Sequence, residues 1–349
     1  MTRGQSHAGE VLDKLIYLFG LGICVELVLF KFLPDIATAT VQNSTSSLAD
    51  FTVFEDTYMA AGSVHHARFL GNHILYFLAK AIAGFAKSGD IRLHPLRIAA
   101  GILTPIYAYV GAIPILYRNE LYDWRAFLIP YAFAVLMGLY VFYPGDMPSL
   151  AFLSIGLFFV LQERLALALG FMLIVGLFRE TSFHFVWFVA GWAICAQSTT
   201  LLRRASWFLT FSVAFVVEYK VVRIYFPGPI SSSGGLILDP REIFLGKGIL
   251  SLTTLCSLSL AAVFPIFYWT KLKWLQASDW RKQFFSLNCA IFPLWIVFYR
   301  MLSGNISEFR LLLPAILPCL YGISFAYGAR DIFDEVPRDR SAVSGSSSA

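Results

Sequence analysis

Residues 148–196 read PSLAFLSIGLFFVLQERLALALGFMLIVGLFRETSFHFVWFVAGWAICA, three apolar runs (148–162, 165–179 and 182–196) separated by short polar breaks around Glu163-Arg164 and Arg179-Glu180-Thr181. Without the second break, the last two runs would be a single stretch too long for one membrane crossing. Each run is shorter than the roughly 20 apolar residues a spanning helix needs. A water-filled or protein-lined cavity at that depth accounts for the shortness, because lipid would otherwise face unsatisfied backbone.

Outward from this stretch the pattern repeats. Apolar runs at 15–33, 98–117, 126–143, 207–226, 249–270, 284–302 and 311–327 bring the total to about ten spans. The composition agrees: 58% of residues are hydrophobic and 14% charged, against roughly 45–50% apolar in soluble domains. The sequence therefore predicts an all-α polytopic membrane protein of about ten transmembrane helices, in contact with membrane lipids. Residues 1–327 form a single transmembrane domain and 328–349 a disordered cytoplasmic tail rich in small and charged residues. The net charge of +5 reports orientation once the basic residues are sorted by loop, and implies no nucleic-acid partner.

Run 69–86 mixes apolar and polar residues, and the positive-inside rule decides its placement. If it does not cross, Arg118 with Arg125, Arg164, Arg203-Arg204, Lys271 with Lys273, Arg281-Lys282 and the basic tail all fall on the cytoplasmic side with the N-terminus. If it crosses, every later cluster moves outside. The run is therefore expected to lie along the outer interface, within an outer loop spanning 34–97. The active face is then periplasmic, extracellular or lumenal, and both termini are cytoplasmic. The run 15–33 is longer than a signal-peptide core of about 7–15 residues and reads as an uncleaved first span. The five cysteines, Cys24, Cys195, Cys256, Cys289 and Cys319, sit in apolar runs without metal-like spacing and are expected to be buried free thiols.

Under this topology the ionisable groups collect on the outer face. The first loop supplies Glu55, Asp56, Tyr58, His65, His66, Arg68 and His73. Later turns add Asp146, Arg179, Glu180 and His184, and the last outward turn adds Arg300, Glu308 and Arg310. Charges near spans cost roughly 2.5–3.5 kcal/mol on insertion scales, so they face a cavity or pair with each other. Asp146, in the turn Tyr143-Pro144-Gly145-Asp146-Met147-Pro148, either caps the next helix or points a carboxylate into the outer interface, and both can hold. Arg179-Glu180 reads as a local ion pair, or else as a guanidinium for phosphate with the carboxylate toward a sugar. Glu218, Lys220 and Arg223 read as a mutually compensated set within a span. Adjacent His65 and His66 splay apart on a helix and carry no metal motif; interfacial or substrate hydrogen bonding suits them better.

The order of these features resembles the membrane module of GT-C glycosyltransferases, which take sugars from polyprenyl phosphates. Glu55-Asp56 is similar to the acidic pair of the family's first outer loop. The helices around Tyr58–Ala67 and Phe69–Ala86 are similar to its two interface helices, and Arg97 to the basic residue leading into the next span. Gly145-Asp146-Met147-Pro148 is similar to the second acidic turn, Gly170 to Thr181 to a glycine-containing span ending in a polar turn, and Glu308-Phe309-Arg310 to an arginine entering a proline-containing last span. The pair reads Glu-Asp where many members have Asp-Glu, and Arg179-Glu180-Thr181 stands where several carry a lysine.

The resemblance implies transfer of a sugar from a polyprenyl-phosphate donor to a lipid or glycan acceptor. Asp56 or Glu55 would act as base, and Asp146 would orient the acceptor or a divalent cation. Arg179 and Arg310 would hold the phosphate, with Glu180, Glu308, His66 and Tyr58 around the substrate. The alternatives are a polysaccharide polymerase or ligase of the Wzy kind, and a polar-lipid transporter or flippase. A transporter is expected to show paired repeats, and none is visible.

Overall fold

The computed structural model describes residues 51–60, 69–85, 95–116, 144–197, 199–226, 259, 261–266, 268, 279–303 and 312–327. All regular structure among them is helical, with no strand. The elements used below are α1 (Phe51–Phe54), which continues into a π-helical turn at Glu55–Met59, α2 (Phe69–Phe85), α3 (Pro95–Leu116) and α4 (Asp146–Leu161). They are followed by α5 (Leu165–Phe178), a 3-10 turn (Glu180–Ser182), α6 (Phe183–Cys195), α7 (Leu201–Tyr225), α8 (Trp280–Ser303) and α9 (Leu313–Tyr327).

These helices coincide with the apolar runs to within a few residues, because an unbroken apolar run satisfies its backbone most simply as a helix. Runs 15–33 and 126–143 and most of 249–270 lie outside the described residues. The largest boundary difference is at α7, expected from 207 and found from Leu201. Thr200 supplies the reason: its hydroxyl accepts from the Arg203 amide at 3.4 Å and caps the first turn. Arg204 reaches back to the Ala193 carbonyl at 2.7 Å, satisfying the end of α6.

α4, α5, α6 and α7 alternate in direction around a core of large rings and branched chains. Trp192, Phe185, Phe188, Phe211, Phe284, Phe285 and Phe292 are all fully buried. α4 and α5 meet through a tight turn in which Glu163 takes a left-handed backbone with φ of 59°. The Arg281 guanidinium donates to the Leu161 carbonyl at 2.9 Å, which fixes the start of α8 beside this turn. Polar contacts tie the middle of the bundle: Ser154 donates to the Gly111 carbonyl at 2.6 Å, Tyr321 to the Ser154 carbonyl at 3.0 Å, and Trp187 to Asn288 at 2.9 Å. A smaller core joins α1, α2 and α3 through Phe54, Tyr58, Leu75, Ala79, Leu96, Ala99 and Ala100.

Among the described residues one helix, α7, is long and apolar enough to cross a membrane. At 25 residues it spans about 37 Å. Only 11% of its most apolar window is buried, and Leu209, Val213, Val216, Val217 and Ile224 stand exposed along it. A core helix of similar composition would hide those side chains.

Of the helix expected around Tyr58–Ala67, residues 61–67 lie outside the described residues. Before them a helical segment runs from Phe51 to Met59, and Ala60 is extended at φ −64°, ψ 140°. Phe54 and Tyr58 lie one turn apart on it, and both are buried against α2 and α3.

Candidate functional site

The polar residues gather at one end of the bundle, formed by the starts of α2, α4 and α6, the ends of α5 and α7, and the 3-10 turn. At its centre Asp146, the first residue of α4, forms an ion pair with Arg179, the residue that ends α5. The two side chains are 1% and 6% exposed respectively. The negative charge sits at a helix N-terminus, where the backbone dipoles favour it. Gly145, not Asp146, holds the N-cap position of α4, so Asp146 does not cap its helix. Arg179, read from sequence as a neighbour pair with Glu180, pairs across the bundle with Asp146; the Glu180 side chain lies outside the described residues. The backbone at Arg179 is extended (φ −167°, ψ 153°), which takes its side chain off the helical path of α5.

The first loop reaches this pair through α2. A side-chain carbon on Gly71 would lie 2.7 Å from the Gly145 Cα and 2.8 Å from the Pro144 carbonyl carbon, so only glycine lets α2 rest on the turn that carries Asp146. The next residue, Asn72, is buried and donates to the Tyr58 carbonyl at 2.7 Å. One turn further along α2 the Tyr76 hydroxyl donates to the Glu55 carboxylate. The two ties anchor the acidic π turn on α2. Glu55 is thereby half-buried and engaged, while Asp56 beside it is exposed. Turns with i to i−5 bonding are frequent at functional sites, and here the Ala60 amide closes one onto the Glu55 carbonyl at 2.8 Å. Tyr58, expected at the substrate, is 3% exposed and packs its ring against Phe54.

On the other flank, His184 is fully buried, donates its Nδ1–H to the Thr181 carbonyl at 2.9 Å and stacks on Trp295 with ring centres 5.4 Å apart. The Thr181 hydroxyl is buried without a hydrogen-bond partner. α7 returns to this end: Phe226, just past its last turn, stacks on Phe69 of α2 at 4.3 Å and 8°. About two turns before that end, Glu218 is buried with both carboxylate oxygens free of hydrogen bonds. Of the set Glu218, Lys220 and Arg223, Lys220 is exposed and Arg223 packs on the Tyr219 ring, and neither hydrogen-bonds Glu218.

His73 hydrogen-bonds to the Phe69 carbonyl in its own helix at 2.7 Å. His65, His66, Arg68, Glu308 and Arg310 lie outside the described residues, as do the side chains of Arg97, Glu180 and Arg300. Among the described residues no three His, Cys, Asp or Glu side chains converge. Cys195, Cys289 and Cys319 are buried free thiols, as expected. The sequence reading missed Gly71, Asn72 and Tyr76 as the bridge between the two acidic turns. The i, i+4 spacing of Asn72 and Tyr76 was the available signal.

Compared with family models, with curated proteins and with solved structures, the chain matches none.

Proposed function

We propose that this chain is a polytopic membrane glycosyltransferase of about ten spans. It would move a sugar from a polyprenyl-phosphate donor to a lipid or glycan acceptor at the end of the bundle where Asp146 meets Arg179. The observation that carries the reading is the convergence there of two acidic turns distant in sequence, bridged by Gly71, Asn72 and Tyr76. The exposed apolar length of α7 supports a lipid setting, in which a polyprenyl chain would lie beside the bundle.

The chemistry needs a base for the acceptor hydroxyl and positive charge for the departing phosphate. Asp56 is the exposed carboxylate of the acidic pair, and Glu55 is held beside it by Tyr76. The acceptor oxygen gives its proton to Asp56 as it bonds to the anomeric carbon. The bond from that carbon to the phosphate oxygen breaks, and its electron pair leaves with the phosphate. A single displacement of this kind inverts the anomeric centre. Arg179 with Arg310 would receive the phosphate, and Asp146 fixes the Arg179 guanidinium. Of the carboxylates in the two acidic turns, Asp56 is the one open to a divalent cation, since Glu55 is engaged by Tyr76 and Asp146 by Arg179.

Asp56→Asn tests the assignment, with transfer followed from a radiolabelled polyprenyl-phosphate hexose in membranes containing the full chain. Transfer should fall by at least about 100-fold, as general-base loss commonly costs, while the amount of folded protein stays the same. Unchanged turnover in folded Asp56→Asn would remove Asp56 from the mechanism.

A further inference from the structure

Glu218 is a carboxylate at this end of the bundle that the scheme above leaves unused. It sits on a helix that otherwise shows lipid-like apolar side chains, yet its side chain turns inward and is 92% hidden, as its relative exposure of 8% requires. Burying a carboxylate is costly; the Ser182 hydroxyl is its polar neighbour, yet neither oxygen makes a hydrogen bond of good geometry. Gly176 of α5 makes the position accessible: a side-chain carbon there would overlap the Glu218 carboxylate itself. The carboxylate lines a half-open recess with Ser182, Phe215, Tyr219 and Arg223. Its cavity volume is about 20 Å³, space for one or two hydroxyl-sized groups while the rest of a ligand stays in the open mouth.

We propose that this recess binds two neighbouring hydroxyls of a saccharide, with Glu218 accepting from both. The charge pattern selects this class of ligand. An ammonium group drawn to Glu218 would meet the Arg223 guanidinium, and a phosphate drawn to Arg223 would meet Glu218. A neutral polyol satisfies both, because its hydroxyls donate to the carboxylate and accept from the guanidinium. Phe215 and Tyr219 provide ring faces for the C–H side of a sugar. The location fits as well: the recess is lined by Gly176 and Ser182, which flank Arg179 in sequence on the segment that carries it. The unpartnered Thr181 hydroxyl is in the same turn as Ser182. This inference rests on the glycosyltransferase reading for its biological meaning, but the sugar site itself does not require transfer to occur.

The test is saturation-transfer NMR on the full chain in lipid nanodiscs, which avoids glycoside detergents. D-glucose, D-mannose and D-galactose are the probes, and ethanolamine and inorganic phosphate the controls. At least one hexose should bind, and Glu218→Gln should weaken it about tenfold or more, the scale of one charge-assisted hydrogen bond. Arg223→Gln, at the half-exposed end of α7, should weaken the same hexose and serves as the second variant if Glu218→Gln does not fold. Binding of no hexose, weakening short of tenfold in folded Glu218→Gln, or Glu218-dependent binding of ethanolamine or phosphate in place of a hexose overturns the proposal; so does unweakened binding in Arg223→Gln. Hexose binding that depends on Glu218 in a protein showing no transfer keeps the site and removes the enzyme reading. Transfer that persists with unchanged KM in Glu218→Gln removes the site and keeps the enzyme.

Discussion

Asp146→Asn isolates the energetics on which the candidate site depends. The substitution keeps the shape of the side chain and removes its charge, leaving the Arg179 guanidinium in a position where its side chain is 6% exposed. Exposed ion pairs contribute about 0–1 kcal/mol because water and salt screen them, but neither partner here is exposed enough for that discount. Breaking a buried pair typically costs about 3–5 kcal/mol, since one charge stays behind without compensation. That is a large part of the roughly 5–15 kcal/mol that holds a typical domain folded. Arg179→Met should cost less by about 0.3–1 kcal/mol, because the stranded Asp146 carboxylate still lies at the N-terminus of α4. The double variant removes both charges and should recover most of the loss, as apolar replacements of buried pairs commonly do. Denaturant unfolding of the full chain in mixed micelles, run as a double-mutant cycle, measures the coupling, expected at about 2 kcal/mol or more. Additive losses with coupling below about 0.5 kcal/mol would show that the pair is not a buried unit, and the site would lose its centre.

Three further outcomes follow from particular contacts. Gly71→Val should destabilise by about 1–3 kcal/mol through overpacking, because the atoms it meets are the backbone of Pro144 and Gly145 and cannot rotate away; an unchanged unfolding midpoint would mean that α2 does not rest on the acidic turn. Glu163→Gly should stabilise by about 1 kcal/mol by relieving a left-handed backbone at φ 59°, and a lower midpoint in the same assay would contradict this. Nitroxides at Val213→Cys and Val217→Cys, in a background where every native cysteine is replaced, should be relaxed more by oxygen than by a water-soluble nickel chelate, since both positions are about half exposed on α7; the opposite preference would place that face in water and end the membrane-span reading.

Much of the helical framework was legible in the sequence. Apolar runs of one helix each, broken at Glu163-Arg164 and Arg179-Glu180-Thr181, placed α4, α5 and α6 within a few residues. Helix formation depends on local hydrogen bonding and on the continuity of apolar side chains, both of which a linear reading registers. The capping of α7 by Thr200 was legible in principle as well, but the first turn it caps carries Arg203-Arg204 and so lies outside the apolar run. The spacing of Glu218 and Lys220 also held information: residues two apart do not share a helix face, so Lys220 could not neutralise Glu218.

The partners across the bundle were not legible. Asp146 and Arg179 were both singled out from sequence, each with a neighbour-based explanation, and only the packing of α4 against α5 showed that they belong to each other. The contacts of Gly71 on Gly145 and of Glu218 on Gly176 likewise exist because two helices approach closely at one depth and one rotation. A hydropathy run specifies that a helix will form and how long it will be. It carries no information on which residue of a distant helix comes level with its own, and that relation is set by side-chain packing over the whole bundle. The sequence alone therefore determined the helical, apolar character of the chain and the types of residue available for chemistry. The tertiary structure decided which of them meet, which are spent on holding the fold, and that Glu218 is buried without a well-formed hydrogen bond.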